Sequence, residues 1–177
     1  GYKKIDDIYE QAGREIGVDP NLLLEQGRVE TDFNVDVFYG RKNSSAGAKG
    51  AGQFMPGTAP SYGLTVNANQ DDRTDPIKSI YAQAKYMKKL LNQFGGDESL
   101  ALAGYNAGEG SVMKAGNKVP KIRETQDYVK LINDSLTKAR NAPTKALREY
   151  YANQAQQISN QQQQTTPQMD LQTGDMP

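Results

Sequence analysis

Few side chains in this sequence are available for acid–base chemistry. The chain has 177 residues and contains neither His nor Cys. It therefore lacks the most frequent general base, the most frequent metal ligand and every thiolate or Ser–His nucleophile. Proton transfer must come from Glu, Asp, Tyr or Lys, and we expect neither a metal site nor any other cofactor. The absence of Cys fits either redox compartment.

Glu30 is the carboxyl best placed for such chemistry. It stands at the end of a segment with helical apolar spacing, directly before a polar segment rich in Gly. A carboxyl there can lie half-buried against a core and open to a cleft, which raises its pKa and suits it to general acid catalysis near neutral pH. Its position alone does not separate it from a solvated glutamate, so the neighbouring motifs must decide.

Four segments of the chain match an enzyme family in their order and spacing. They are ETDFN at 30–34, GAKGAGQFMPGTA at 47–59, AGYNAG at 103–108 and RETQDYV at 123–129. Together they resemble the soluble lytic transglycosylase family, which belongs to the lysozyme-like superfamily and is related to goose-type lysozyme. The resemblance runs from about Ile5 to Ala139. One departure is Ala51-Gly52, where the family usually has a Leu-Met pair that contacts the sugar.

The resemblance implies roles for individual residues on the first half of the chain. Glu30 would be the catalytic acid and base. Ser44 matches a Ser that contacts substrate, and Gln53 matches a Gln that lines the cleft.

On the second half, Tyr105 and Asn106 would flank Glu30. The resemblance places the Tyr hydroxyl near the carboxyl and makes the Asn a donor to a sugar substituent. Glu124 and Tyr128 match positions that line or brace the cleft. For Tyr105 and Tyr128, ordinary core packing is the alternative interpretation.

The implied reaction is non-hydrolytic cleavage of the MurNAc–GlcNAc β-1,4 bond of peptidoglycan, which leaves 1,6-anhydromuramic ends. One carboxyl suffices for it, whereas a hydrolysing glycosidase needs a second carboxylate. Asp32, Asp36, Asp71 and Asp72 are candidate partners, although each is more typical of a loop or a cap. A lysozyme-type muramidase is the nearest alternative, followed by a non-catalytic glycan-binding or virion structural module.

Apolar periodicity predicts a mainly α domain with at most a small β-ribbon at 35–41 or 62–68, and the resemblance implies that this domain has the lysozyme-like fold. Asp19-Pro20 and Asp75-Pro76 each combine an N-cap with a first-position Pro and predict helix starts. Helices are expected at 3–17, from 20 to about 30–33, from 76 to about 94, from 97 to about 106 and from about 124 onward, with a short turn at 56–63 and a loop at 34–50.

Composition divides the chain into three regions. The resemblance implies that residues 1–140 form the lytic transglycosylase domain, and the apolar residues that follow predict a helical extension at 141–152. Residues 153–177 are rich in Gln and cannot bury enough apolar surface to offset their ordering entropy, so a disordered tail or linker is expected.

Charge and hydropathy limit the partners. Lys plus Arg and Asp plus Glu each number 21, which offers no electrostatic case for nucleic acid or a membrane surface. Lys85, Lys88 and Lys89 are interpreted as the solvated face of a helix, and no apolar stretch is long enough to span a membrane. The partner that the resemblance implies is the peptidoglycan glycan strand.

The chain begins at Gly1 without a signal-peptide pattern, so we expect a fragment or a processed product. It would act at the bacterial cell wall or periplasm. The Gln-rich segment favours a phage virion, or another larger phage or secretion assembly, as its setting.

Overall fold

The computed structural model describes residues 5–32 and 34–142. These residues contain seven α-helices: α1 Ile5–Ile16, α2 Pro20–Thr31, α3 Val35–Phe38, α4 Pro76–Gln93, α5 Glu98–Ala107, α6 Glu109–Lys114 and α7 Arg123–Asn141. Two 3₁₀ turns, Ala59–Tyr62 and Asp72–Thr74, interrupt the long segment between α3 and α4. The expected Gln-rich tail, and the expected helical extension beyond residue 142, lie outside the described residues.

The prediction of a mainly α fold is confirmed. Within the described ranges, β structure is limited to two isolated antiparallel bridges, Lys49 with Phe54 and Val66 with Asp71. The second bridge begins in the region where a ribbon was expected at 62–68. At 35–41, the other region where the sequence allowed a small ribbon, α3 occupies most of the segment.

Two of the long helices, α2 and α4, start where the sequence carries an Asp cap followed by Pro. The Asp19 carboxylate accepts a hydrogen bond from the Asn21 amide at 2.8 Å, and Pro20 opens α2. Asp75 does the same for Ile77 at 2.9 Å, ahead of α4. A carboxylate that accepts from the first-turn amides satisfies donors that have no partner within the helix. Both predicted cap-plus-Pro starts are confirmed.

Two short helices differ from the sequence prediction. Asn34 caps α3 by accepting from the amides of Asp36 and Val37 at 3.0 and 3.3 Å. α6 follows Gly108, whose φ of 85° favours Gly. Helices of four and six residues are too short for apolar periodicity to reveal them. α3 therefore lies within the segment predicted as a loop at 34–50, and α6 lies between two predicted helices.

The core lies between the long helices. α2 packs against α1 and α7, and α4 packs against α1 and α5. Its largest fully buried apolar side chains are Tyr9, Leu22, Leu23, Ile80, Met87, Leu90, Leu102 and Ile132. A smaller apolar cluster joins the segment before α4 to that helix through Phe54, Ala59, Leu64 and Ala82. The end of α2 and the Gly-rich loop are thereby held against the same helical frame.

No helix among the described residues combines the length and the apolar character needed to cross a membrane.

Candidate active site

Glu30 lies in the last turn of α2, with its side chain half-buried. Burial disfavours the charged carboxylate and raises the pKa of Glu30 from 4.5 to about 7. A hydrogen bond from Tyr128 works in the opposite direction, and the negative charge of Glu124 adds a smaller upward effect. A carboxyl in this state can hold a proton near neutral pH and still give it up.

The Tyr128 hydroxyl donates to Oε1 of Glu30 at 2.6 Å. Tyr128 is on α7 and only 6% exposed. Its own pKa is well above the usual value because of burial and the nearby Glu30 charge, so the phenol keeps its proton and remains a donor. The residue that the resemblance assigned to the wall of the cleft thus contacts the carboxyl itself.

Tyr105 is also near Glu30, but its hydroxyl is committed elsewhere. It donates to the Gly52 carbonyl at 2.6 Å. The pKa of Tyr105 is raised well above its usual value, first by burial and next by the charge of Glu30, so the two groups lie within electrostatic range. The structure therefore makes Tyr128, rather than Tyr105, the hydroxyl that hydrogen-bonds the carboxyl.

Asn106 follows Tyr105 at the end of α5. Its side-chain oxygen accepts a hydrogen bond from the Thr125 hydroxyl at 2.8 Å. With the oxygen occupied, the amide NH₂ is the end available to donate to a ligand. Thr125 is buried and was missed by the sequence reasoning, although it lies inside the matched segment 123–129. Glu124, next to it, is exposed and contributes charge rather than a hydrogen bond to Glu30.

Ser44 and Gln53 lie in the Gly-rich loop. Ser44 is exposed, and its Oγ accepts from the Ala48 amide at 2.9 Å. Gln53 has a φ of 49°, a conformation uncommon outside Gly, and its side-chain amide donates to the Gly50 carbonyl at 2.8 Å. The described contacts join both side chains to the loop backbone, and the loop reaches the site through the Gly52–Tyr105 hydrogen bond.

Two polar side chains outside this loop hold its backbone by hydrogen bonds. Arg73 is 6% exposed and donates to the carbonyls of Gly47 and Phe54 at 3.2 and 3.1 Å. The Ser79 hydroxyl of α4 accepts from the Gly52 amide at 2.9 Å. Sequence reasoning did not find Arg73 or Ser79, because backbone-directed contacts across 19 to 27 residues leave no local pattern.

The Gly at position 52 is explained by its neighbours. A Cβ there would lie 2.6 Å from the ring of Phe54 and 3.2 Å from the Tyr105 hydroxyl. The space that a larger side chain would need is therefore filled by this chain's own aromatic residues.

Of the four candidate partner carboxylates, three are engaged in ion pairs: Asp36 with Arg41 at 3.5 Å, and Asp71 and Asp72 with closer basic partners. Asp71 meets Arg73 and Asp72 meets Lys78, each at 2.8 Å. The guanidinium of Arg73 lowers the pKa of Asp71 to about 2, so this carboxyl is held as an anion by its neighbour. Asp32 and Asp36 are exposed. No group of three or more potential metal ligands occurs among the described residues.

With this geometry in place, comparison with known proteins identifies the family. The family model described as "Transglycosylase SLT domain" matches residues 7–128. The chain belongs to the lytic transglycosylase SLT family. The resemblance drawn from the four segments is thus confirmed.

Relatives of this SLT domain occur in bacteria and in phages. Membrane-bound lytic murein transglycosylase D of Escherichia coli is 40% identical over 98 residues, which cover 49% of this chain and 22% of that protein. Peptidoglycan transglycosylase gp16 of Escherichia phage T7 is 31% identical over 137 residues, which cover 77% of this chain and 10% of that protein. The SLT chain thus spans less than a quarter of the length of either relative.

A solved structure shows the same fold. The crystal structure of the 70 kDa soluble lytic transglycosylase from Escherichia coli superposes with a TM-score of 0.62 at 25% identity, covering 73% of the SLT chain and 23% of that chain. The expected lysozyme-like fold is confirmed by this likeness.

Proposed function

We propose that this chain is a peptidoglycan lytic transglycosylase with Glu30 as its acid and then its base. The observation that carries the proposal is a half-buried carboxyl with a pKa raised to about 7, hydrogen-bonded by a buried tyrosine, in a chain of the SLT family. The bond cleaved is the β-1,4 linkage from MurNAc to GlcNAc.

The reaction requires one proton to leave Glu30 and one to return. Protonated Glu30 gives its proton to the glycosidic oxygen, and the bond from that oxygen to the anomeric carbon of MurNAc breaks. The resulting carboxylate then takes the proton of the muramic acid C6 hydroxyl, whose oxygen bonds the anomeric carbon. The 1,6-anhydro end forms without water, and Glu30 is protonated again. Tyr128 stabilises the carboxylate between the two transfers, because it donates to Oε1.

The roles of the candidate second carboxylates support a non-hydrolytic route. Asp71 and Asp72 are held in ion pairs with basic neighbours, and Asp32 and Asp36 are exposed residues at a helix C-terminus and in the first turn of α3. A hydrolase would need one such group beside the sugar, opposite the acid.

We assign substrate binding to the residues around Glu30. The Asn106 amide, oriented by Thr125, would donate to a sugar substituent. Tyr105 and Glu124 would line the cleft near the carboxyl, and the loop residues Ser44 and Gln53 would contact the glycan from the opposite side.

The setting we propose is the bacterial cell wall or periplasm, within a larger phage assembly. Similarity to a phage protein named peptidoglycan transglycosylase over 77% of the chain supports the phage origin. The Gln-rich sequence at 153–177 is consistent with a linker to further domains.

Product analysis tests the proposal. Purified sacculi are incubated with the 177-residue chain, with Glu30→Gln as the inactive control, and soluble muropeptides are analysed by mass spectrometry. We expect products with 1,6-anhydromuramic ends. Products heavier by one water with reducing ends would instead indicate a muramidase, and binding to sacculi without release of products would indicate a glycan-binding module.

A further inference from the structure

Behind Glu30, two buried glutamines connect α4 and α2 to the tyrosine of α7. Gln26 and Gln83 are both fully buried. The Gln83 amide nitrogen donates to the backbone carbonyl of Leu23 at 3.0 Å and to the side-chain oxygen of Gln26 at 2.9 Å. Both hydrogens of that NH₂ group are therefore directed at α2.

This arrangement determines which way the Gln26 amide faces. Because its oxygen accepts from Gln83, its NH₂ faces away from the Gln83 amide and donates to the Tyr128 hydroxyl oxygen at 3.0 Å and to the Met87 sulfur at 3.4 Å. An amide turned the other way would place its NH₂ against the Gln83 NH₂ and its oxygen against the Met87 sulfur, with two donors facing each other.

The orientation of Gln26 in turn determines what the Tyr128 hydroxyl can do. Its oxygen receives a hydrogen from Gln26, so its own hydrogen points to Oε1 of Glu30 at 2.6 Å. Oε1 is then an acceptor, and a proton on the Glu30 carboxyl must reside on Oε2. Successive hydrogen bonds of one direction also strengthen each other.

We propose that Gln26 and Gln83 are positioning residues that orient the Tyr128 hydroxyl and thereby place the transferable proton of Glu30 on Oε2. This inference rests on the proposed function for the use of that proton, although the orientation itself can be measured without turnover.

Stability alone does not account for the two glutamines. The side-chain oxygen of Gln83 is buried and has no hydrogen-bond partner among the described residues. A buried polar group without a partner costs free energy, and replacing such a pair by apolar side chains of similar shape is often neutral or stabilising. Orienting Tyr128 is a role that apolar replacements would not fill.

The other groups near Glu30 are separate from the hydrogen bonds that lead from Gln26 through Tyr128 to Glu30. Tyr9 faces it from α1, Tyr105 from α5, and Tyr128 and Glu124 from α7. The phenols are neutral near pH 7, and none of the hydrogen bonds described for the two glutamines involves Glu124. Replacing Gln26 changes no charge, and the hydrogen bonds that lead from Gln26 to Glu30 pass through Tyr128.

The test is a titration of Glu30 by NMR, using the full chain with ¹³C-labelled glutamate side-chain carboxyls. Gln26→Met is nearly isosteric and removes the donor to Tyr128. We expect the Glu30 pKa to rise by about half a pH unit, since a weakened hydrogen bond stabilises the carboxylate less. Gln83→Met, which leaves Gln26 in place, should raise it by less. Asn133→Leu is the control, because it removes an amide of α7 that bonds Ser99 instead.

A double-mutant cycle with Tyr128→Phe makes the test specific. In the Tyr128→Phe background, Gln26→Met should produce no further shift, because the connecting hydroxyl is gone. If Gln26→Met leaves the Glu30 pKa unchanged or lowers it, or shifts it equally in both backgrounds, the inference is overturned. The NMR titration needs no substrate, so a chain that yields no anhydro product would refute the proposed function while the pKa shifts still decide the role of the glutamines.

Discussion

Glu30 at the end of α2 and Gln53 in the Gly-rich loop belong to two differently built parts of the candidate site. Buried polar groups support both parts, but they hold a side chain in the first and the backbone in the second. On the helical side, apolar packing of α2 places the backbone, and hydrogen bonds set only the side chain, through Tyr128. On the loop side, regular structure is sparse, and hydrogen bonds from Arg73 and to Ser79 hold the backbone itself.

Because of this difference, substitutions on the two sides should have different effects. Polar substitutions on the helical side should alter proton affinity with little loss of stability, because burial of apolar surface supports the helices. Polar or steric substitutions on the loop side should cost stability and substrate fit, because they release backbone groups such as the Gly52 amide and the Gly47 carbonyl from their side-chain partners. The following predictions test this contrast.

The largest effect should come from Glu30→Gln. Gln keeps the shape of the side chain but has no transferable proton, and general acid–base catalysis contributes roughly 10²–10⁴-fold to the rate. Turnover of sacculi should fall by at least that factor, with an unchanged circular dichroism spectrum. Near-full activity in this variant would remove Glu30 from the mechanism.

On the loop side, Gly50→Ala should be strongly destabilising. The added Cβ would lie 1.7 Å from the Arg73 carbonyl oxygen, at a φ of 78°. We expect a loss of about 2–4 kcal/mol in the free energy of unfolding, measured by urea denaturation. Gly47→Ala is the matched control: its φ is 91° but no atom lies within 4 Å of the Cβ, so backbone strain alone should cost about 1 kcal/mol. Equal losses of unfolding free energy in the two variants would contradict the interpretation that close contacts with Arg73 and Ser79 hold the loop backbone.

The raised pKa of Glu30 also makes stability depend on pH. The folded chain keeps this proton up to about pH 7, whereas an unfolded chain loses it near the ordinary pKa of 4.5. Between these values the folded state binds more protons, so stability falls as pH rises through this window and is constant above it. Glu30→Gln should therefore be more stable than the original chain above pH 7, by at most about 3 kcal/mol. Thermal melts at pH 4.5 and 8 measure the difference, and an equal change at both pH values would contradict it.

Tyr105→Phe should give the smallest effect and addresses the contact between the two sides. The ring and its packing remain, but the hydrogen bond to the Gly52 carbonyl is lost, which costs about 1 kcal/mol. We expect a several-fold loss of turnover with the Glu30 pKa nearly unchanged. A large change in that pKa would mean that Tyr105, and not only Tyr128, tunes the carboxyl.

Helices that are marked by a local sequence pattern, such as a cap or a regular apolar stripe, were predictable from the sequence. The caps at Asp19 and Asp75, and the long apolar stripe of α4, placed three of the helix boundaries near their observed positions. α3 and α6 were missed because a single turn of helix has no period, and its stability comes from a cap such as Asn34 and from tertiary packing.

The site was only partly predictable. Glu30 came from the motif, but the motif could not tell which tyrosine donates to it, because that depends on how α5 and α7 pack on α2. The sequence does contain a pattern that indicates the two glutamines. Gln26 and Gln83 fall on the core-facing side of their helices, four residues from Leu22 and Met87 respectively. A polar residue at such a position points to a buried partner.

One helix end joins two functions of the site. Thr125, in the first turn of α7, orients Asn106, and Tyr128, in the next, donates to Glu30. No side chain caps that first turn, and the residue at its cap position, Ile122, is 44% exposed. Uncapped first turns fray on warming. Heating should therefore free the Asn106 amide from Thr125 and the Glu30 carboxyl from Tyr128 at the same time, before the core unfolds. We expect activity to be lost below the melting temperature and Ile122→Asp, which supplies a cap, to narrow that gap.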